Sequence, residues 1–228
     1  MDFFKKFFTK KEFDIKDSLA WLGADMHNHI LFGIDDGSRD LAQSLELLKG
    51  MTELGFRKVI CTPHVMEGVY NNTPVHIAAV YEQLLAAVRN ENLNIELEFA
   101  AEYMIDEGIA TWIESDQLCL LPHKHVLIEM SYLSESKSLF SIIKRLRDKG
   151  YQPILAHPER YNYYHSNFKI FQEIKKAGCY LQLNLLSVSR YYGESVKAMA
   201  LTLIKAGLYD FVGTDMHHER HLSAIKEV

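Results

Sequence analysis

The chain has 228 residues, 48% hydrophobic and 24% charged, with a formal net charge of −5, a size and balance that suit one soluble domain with a single core. Its mild acidity argues against a nucleic-acid partner, and no apolar run reaches the roughly 20 residues of a membrane span. Cys61, Cys119 and Cys179 form no paired motif, as expected in a reducing cytosol.

The start, MDFFKKFFTKKEF, lacks the unbroken apolar stretch of a signal peptide, which points to a cytoplasmic protein. Phe3, Phe4, Phe7 and Phe8 recur at helical spacing among Lys5, Lys6, Lys10 and Lys11. Residues 1–20 therefore read as an amphipathic extension, and residues 21–228 as the folded domain. Residues 1–13 either touch an anionic membrane surface or dock their phenylalanines on the domain.

From there the chain keeps a rhythm. Runs with helical periodicity end in glycine, and a β-rich run follows at once: LAQSLELLKGMTELG before FRKVICTPH, LFSIIKRLRDKG before YQPILAHPER, FKIFQEIKKAG before CYLQLNLLS, and SVKAMALTLIKAG before LYDFVGTDMHH. Glycine in that place predicts a left-handed helix end. With GADMHNHI, NIELEFAAEYM and HVLIEMSYL the count reaches seven β segments, and PVHIAAVYEQLLAAVRN adds a long helix. Strands alternating with helices imply a parallel sheet. The expected fold is α/β, a small distorted (β/α)7 barrel in one domain, with an open doubly wound sheet as the alternative.

The metal-binding residue types fall at one end of these units. His27 and His29 close the first strand, with Asp36 in the loop beyond. His64 ends the second strand, Glu102 the third, Glu129 the fourth and His157 the fifth, while Asp215 and His217 end the seventh. The sixth, ending near Asn184, has no strong ligand. Strand C-termini of a barrel converge on one rim, so nine scattered residues are expected to meet there. Residues i and i+2 of a strand point the same way, about 6.5–7 Å apart, which lets His27 and His29 face one cation. Histidine with carboxylate suits zinc, manganese or iron rather than calcium. An acid closing an apolar strand, as in VLIEM, is costly to bury unless it is paired or metal-bound.

Other candidates read differently. His123 and His125 repeat the His-x-His spacing at the start of the fourth strand, on the order of 13 Å from Glu129, and read as structural or surface residues. His76, His165, His218 and His221 read as ordinary. Asp35 competes with Asp36 as ligand or turn residue.

Taken together, DMHNHILFGIDDGS, CTPH, AAEYM, LIEMS, LAHPERY and GTDMH resemble the polymerase-and-histidinol-phosphatase (PHP) superfamily of metal-dependent phosphoesterases. Within it they are similar to the bacterial protein-tyrosine phosphatases of capsule and exopolysaccharide synthesis. The resemblance runs from residue 25 to 217. It implies a distorted (β/α)7 barrel and three divalent ions, manganese or iron with zinc or magnesium as alternatives. It also implies hydrolysis of phosphotyrosine on a partner tyrosine kinase. The implied ligands are His27, His29, Asp36, His64, Glu102, Glu129, His157, Asp215 and His217, with Arg160 on the phosphate. A second arginine usually follows the GTDMH segment; Arg220 is the candidate, although it comes sooner than the family spacing. The closing helix is expected to be short, or to continue past Val228 in the natural chain. Self-association stays open.

Three dications against four carboxylates leave +2, and Arg160 makes +3, a pocket suited to a phosphate dianion; two dications would leave neutrality. The implied chemistry is in-line attack by a metal-held hydroxide without a phosphoenzyme. Tyr161, Tyr163, Tyr164, Tyr191 and Tyr192 lie in loops near the same rim, where they stack on the substrate ring or pack, and Arg190 is a weaker phosphate candidate. A cysteine-dependent phosphatase would need arginine six residues after its cysteine; those positions hold Glu67, His125 and Leu185. Two rivals share the metal set: a small-molecule phosphatase such as histidinol phosphatase, and a metal-loaded scaffold that binds the kinase without turnover.

Overall fold

The computed structural model describes residues 19–227, so the Phe/Lys start and its expected membrane contact lie outside the described residues. Leu19 is already buried in the core, two residues ahead of the expected domain boundary at 21. Strands and helices then alternate. Strand β1 (Ala24–Asp25) leads to helix α1 (Leu41–Glu53), β2 (Lys58–Cys61), β3 (His64–Val65) and α2 (Pro74–Asn90). Next come β4 (Glu96–Phe99), β5 (Glu102–Met104), α3 (Ile109–Glu114), β6 (His125–Glu129) and α4 (Leu139–Asp148). The last units are β7 (Gln152–Ala156), α5 (Lys169–Lys176), β8 (Tyr180–Asn184), α6 (Glu194–Lys205), β9 (Phe211–Gly213) and α7 (Glu219–Ile225).

The helices form where apolar stripes and caps coincide. In α4 the buried residues Leu139, Ile142, Ile143 and Leu146 follow the i, i+3, i+4, i+7 pattern of one face. Thr73 caps α2 by accepting from the His76 N–H, and Pro74 takes the first turn, where its missing N–H costs nothing. The glycines expected to end four helices, Gly55, Gly150, Gly178 and Gly207, all take positive φ.

All strand pairings are parallel. β2 and β3 are one stave interrupted at Thr62 and Pro63, and β4 and β5 are another. Their register is the same on both sides of the break, Lys58 facing Glu96 and His64 facing Glu102. Glu102 therefore opens a segment after a break instead of closing a strand, and Pro63, with no N–H, contributes to that break. The ring of seven staves closes where Asn28 bridges Met216, with the His29 N–H donating to Met216 O and the Asp215 N–H to His27 O. Asp25 fastens the seam: it accepts from the Thr214 backbone N–H at 2.8 Å and from its hydroxyl at 2.7 Å. Burial raises the Asp25 pKa to about 6, against these hydrogen bonds.

Strand alternation then builds the site. Ile60, Ala100, Leu127, Ile154 and Ala156, with Tyr180 and Phe211, form a small apolar cluster separate from the large core between sheet and helices. His64, Glu102, Glu129, Gln182, Asn184 and Asp215 stand two or four residues further along the same staves, hence on the same inward side. An apolar floor thus carries a polar layer. His125 lies at the other end, its ring against Tyr180 and Phe211.

Candidate metal centre

All nine expected donors come together at the C-terminal end of the barrel. They fall into four overlapping groups: His29, Asp36, His64 and His217; His27, His29 and Glu102; His27, His157 and Asp215; and His64, Glu102 and Glu129. Eight of the nine are buried or nearly so, while the Asp36 side chain, on the returning loop, is 55% exposed. The backbone is bent to achieve this. His157 and Asp215 take left-handed φ values of 34° and 52°, which L-residues adopt only under constraint from their surroundings.

Orientation of the imidazoles is set by hydrogen bonds from the opposite ring nitrogen. His27 Nδ1 donates to Gln182 Oε1 at 2.9 Å, His29 Nδ1 to Asp35 Oδ2 at 2.8 Å, and His217 Nδ1 to the Asp215 carbonyl at 2.8 Å. Each bond fixes the neutral tautomer that leaves Nε2 with a bare lone pair, the arrangement found behind metal-binding histidines. Asp35 and Asp36 thus divide the work between them. Asp35 orients His29 and accepts the Gly37 and His64 N–H groups, whereas Asp36 Oδ1 lies 3.5 Å from His64 Nε2 and 3.7 Å from His217 Nε2.

The spacing of donor atoms fits an ion. His27 Nε2 lies 3.3 Å from His29 Nε2, 3.2 Å from Glu102 Oε2 and 3.4 Å from Asp215 Oδ1. His29 Nε2 lies 3.4 Å and 3.3 Å from those two oxygens. Each of these separations is what two donors about 2.0 Å from a shared zinc-like ion would show, although Glu102 and Asp215 fall in different donor groups that share His27. Further out, His64 Nδ1 is 2.8 Å from Glu129 Oε1 and His157 Nε2 is 3.1 Å from Glu102 Oε1. Glu102 Oε2, Glu129 Oε1 and His64 Nδ1 are fully enclosed yet form no well-directed hydrogen bond. Close approach without hydrogen bonding means that these lone pairs converge on shared space, as the donors of a cation do.

Without an ion, protons must hold the cluster together. Burial disfavours charge on His29, but Asp35, Asp215 and Glu102 outweigh it and hold the imidazolium well above its usual range. Burial is likewise outweighed at His64 by Glu129, which raises its pKa to about 9. At Asp215 and Glu102, burial is outweighed by neighbouring cations, His27 first, and both stay well below the usual carboxylate range. A raised histidine pKa stabilises the ion-free fold below its unfolded value of 6.5, and that contribution is lost as pH rises through about 9. Metal binding has the opposite sign, because ligands must shed these protons. Calorimetric titration with manganese is expected to release protons at pH 7.5 and to show affinity rising from pH 6 towards pH 9. A pH-independent affinity would contradict this proton inventory.

Beside the donors opens a cleft of about 290 Å³ whose walls include Asp36, His64, Tyr132, His157, Arg160, Tyr192, Asp215 and His217. Arg160 donates from Nη1 to Asp215 Oδ2 at 2.6 Å. Its guanidinium carbon is 4.4 Å from the centre of the Tyr132 ring and 4.2 Å from that of Tyr192. The other expected substrate contacts fall elsewhere. Tyr161 is fully buried and its hydroxyl accepts from the Met130 N–H, so it packs beneath the site. Arg190 is exposed and paired with Glu194. Arg220 is exposed on α7 and does not line the cleft; His218 and His221 do.

Gly37 shows how tightly the donor loop is folded back. A Cβ there would sit 2.0 Å from the His29 carbonyl oxygen, backbone that cannot yield cheaply. Gly37→Ala is expected to cost about 3 kcal/mol, a fall in Tm of about 6–12 °C by thermal unfolding; an unchanged Tm would refute the packing described.

Sequence reasoning missed Gln182 and Asn184. Both are fully buried in β8, and Asn184 Nδ2 donates to Asp215 Oδ2 at 2.9 Å. Polar residues at alternate positions of the apolar run CYLQLNLLS were the available signal. It missed Tyr132, and it missed Glu159, whose buried carboxylate accepts from the Asn184 N–H and the Tyr209 hydroxyl.

Several known proteins are similar to this chain. The tyrosine-protein phosphatase YwqE of Bacillus subtilis is 31% identical over 195 residues, covering 85% of this chain and 77% of YwqE. The tyrosine-protein phosphatase CpsB of Streptococcus pneumoniae is 27% identical over 200 residues, covering 85% and 82%. A crystal structure from work on YwqE and CpsB, described as unique metal-dependent tyrosine phosphatases, superposes with a TM-score of 0.82 at 29% identity, over 89% of this chain and 84% of the other. An amidohydrolase from Mycoplasma synoviae shares the fold alone, at a TM-score of 0.55 and 13% identity, over 92% and 78% of the two chains. Residues 23–224 match the family described as capsular polysaccharide synthesis, CpsB/CapC, and the chain belongs to that family.

Proposed function

We propose that this chain is a metal-dependent protein-tyrosine phosphatase. The observation that carries the reading is the position of Arg160, a cation clamped between two aromatic rings where a nine-residue donor cluster opens to solvent. The names of YwqE and CpsB support it. In this reading His27, His29, Asp36, His64, Glu102, Glu129, His157, Asp215 and His217 hold three divalent ions, manganese or iron, with zinc or magnesium as alternatives.

Bound there, such ions would lower the pKa of a water, neutralise phosphoryl oxygens and favour in-line attack. The chain supplies the rest. Gln182, Asp35 and the Asp215 carbonyl keep three Nε2 lone pairs turned inward. Arg160 binds a phosphoryl oxygen, and its contact with Asp215 fixes the guanidinium before substrate arrives. Tyr132 and Tyr192 wall the entrance, offer faces to an aromatic ring and keep water from Arg160. Counting the buried Asp35 carboxylate lowers the site's net charge from the expected +3 to +2, still attractive to a phosphate dianion. Among the described residues no cysteine, serine or threonine lines the cleft, and burial pushes the Cys119 and Cys179 thiols up to about 11 and 12. In this reading the nucleophile is solvent-derived.

The substrate in this reading is a tyrosine kinase that regulates capsular or exopolysaccharide synthesis, met in the cytoplasm. The family description supports the pathway. Among the described residues no helix is long and apolar enough to cross a membrane.

A panel of phosphate esters with parallel metal analysis tests the proposal. Phosphotyrosine peptide should be hydrolysed with added manganese and not with chelator. Faster turnover of histidinol phosphate, or metal binding with no turnover, would overturn it.

A further inference from the structure

Besides Arg160, the cleft holds a further oriented donor that belongs to none of the four donor groups. His221, on α7, lines the cleft and is only 8% exposed. Its ring packs against His218, 4.1 Å between centroids, and meets Tyr191 edge-on at 5.2 Å. The His217 N–H donates to His221 Nδ1 at 3.2 Å. An imidazolium has no lone pair to accept that bond, so the ring is neutral and its proton sits on Nε2. Among the described residues Nε2 has no hydrogen-bond partner, and it is not one of the enclosed unpaired atoms. It therefore opens on to the cleft as a donor without an acceptor.

The spacing explains the placement. His218 caps α7 and accepts from the His221 N–H three residues on, while Arg220 is turned about 100° from His221 around the helix. The His221 ring is held by its backbone donor, by His218 and by the Tyr191 edge, so little side-chain freedom is lost on binding. A group that can only donate at Nε2 selects acceptor oxygens.

We propose that His221 is a substrate-binding residue, donating from Nε2 to a non-bridging oxygen of the phosphoryl group bound beside Arg160. The proposal rests on the phosphatase reading above. Arg160 supplies charge; His221 supplies direction at a second oxygen.

The test uses manganese-loaded protein, with inorganic phosphate as the probe in calorimetric titration. Steady-state kinetics on phosphotyrosine peptide and metal analysis run beside it. His221→Phe keeps a ring without the donor, and His221→Gln places an amide N–H near the lost Nε2. The phenylalanine variant should bind phosphate about 10–100-fold more weakly, the range for a hydrogen bond to a charged acceptor. KM should rise more than kcat falls, with manganese content unchanged. The glutamine variant should stay within about threefold of the unaltered protein. Phosphate binding by His221→Phe within threefold of the unaltered protein would overturn the proposal. Loss of manganese from both variants would do so too, since His221 would then serve the donors and not the substrate. Unaltered protein that binds phosphate but leaves phosphotyrosine intact would sink the phosphatase reading alone, and the binding titrations would still decide the role of His221.

Discussion

Glu102→Gln is expected to lower kcat/KM by about 10³-fold or more and to leave the protein short of metal by elemental analysis. No other carboxylate touches as many donors. Its Oε2 lies 3.2 Å from His27 Nε2, 3.4 Å from His29 Nε2 and 3.2 Å from His64 Nδ1, while Oε1 faces His157 Nε2. It belongs to two of the four donor groups. The amide keeps the size and removes the charge, so at least one ion loses its shared anionic ligand. An ion supplies several kcal/mol of charge stabilisation in the transition state, and about 4 kcal/mol corresponds to a thousandfold in rate. The far-ultraviolet dichroism should be unchanged, because the backbone N–H of Glu102 keeps its bond to Pro63 O. Full metal content with activity within tenfold of the unaltered protein would refute the hub role.

Arg160→Lys should lose about 10²–10³-fold in kcat/KM while keeping its metals. The contrast in metal content separates it from Glu102→Gln. A lysine keeps the charge but not the planar fork, and a compact ammonium cannot stack between Tyr132 and Tyr192 as a guanidinium does. Burial disfavours charge on Arg160, yet its neighbours, Asp215 among them, keep it above its usual range, so it stays charged at any working pH. Removing one preorganised donor from a developing phosphoryl charge typically costs the fold-loss stated. Lysine with near-full activity would show that charge alone suffices there.

How much of this was legible depends on the kind of interaction. Helix stripes and terminal glycines are local, and so are runs such as VLIE; they located the units and the rim. The nine donors could be read because their types are costly to bury and they recur at one end of successive strands. The partners that orient them were harder. Gln182 and Asn184 are uncharged, so nothing in their chemistry announces burial, and their value lies in reaching His27 and Asp215 on other staves. Asp35 and Asp36 are adjacent and chemically identical; only the fold of the loop turns one inward beneath His29 and leaves the other at the mouth. Tyr161 misled because position after a strand says where a residue starts, not which way its ring turns. Arg220 misled for a related reason, since one residue's shift on a helix is a different face.

The closing of the ring between Asn28 and Met216 bears on the order in which this protein matures. Donors from both ends of the chain meet only when that seam forms, so an elongating polypeptide on the ribosome has no intact ion site until its His217 codon has been read. Ion capture therefore waits for the last strand of the ring, and a chain truncated ahead of Asp215 should fail to take up metal.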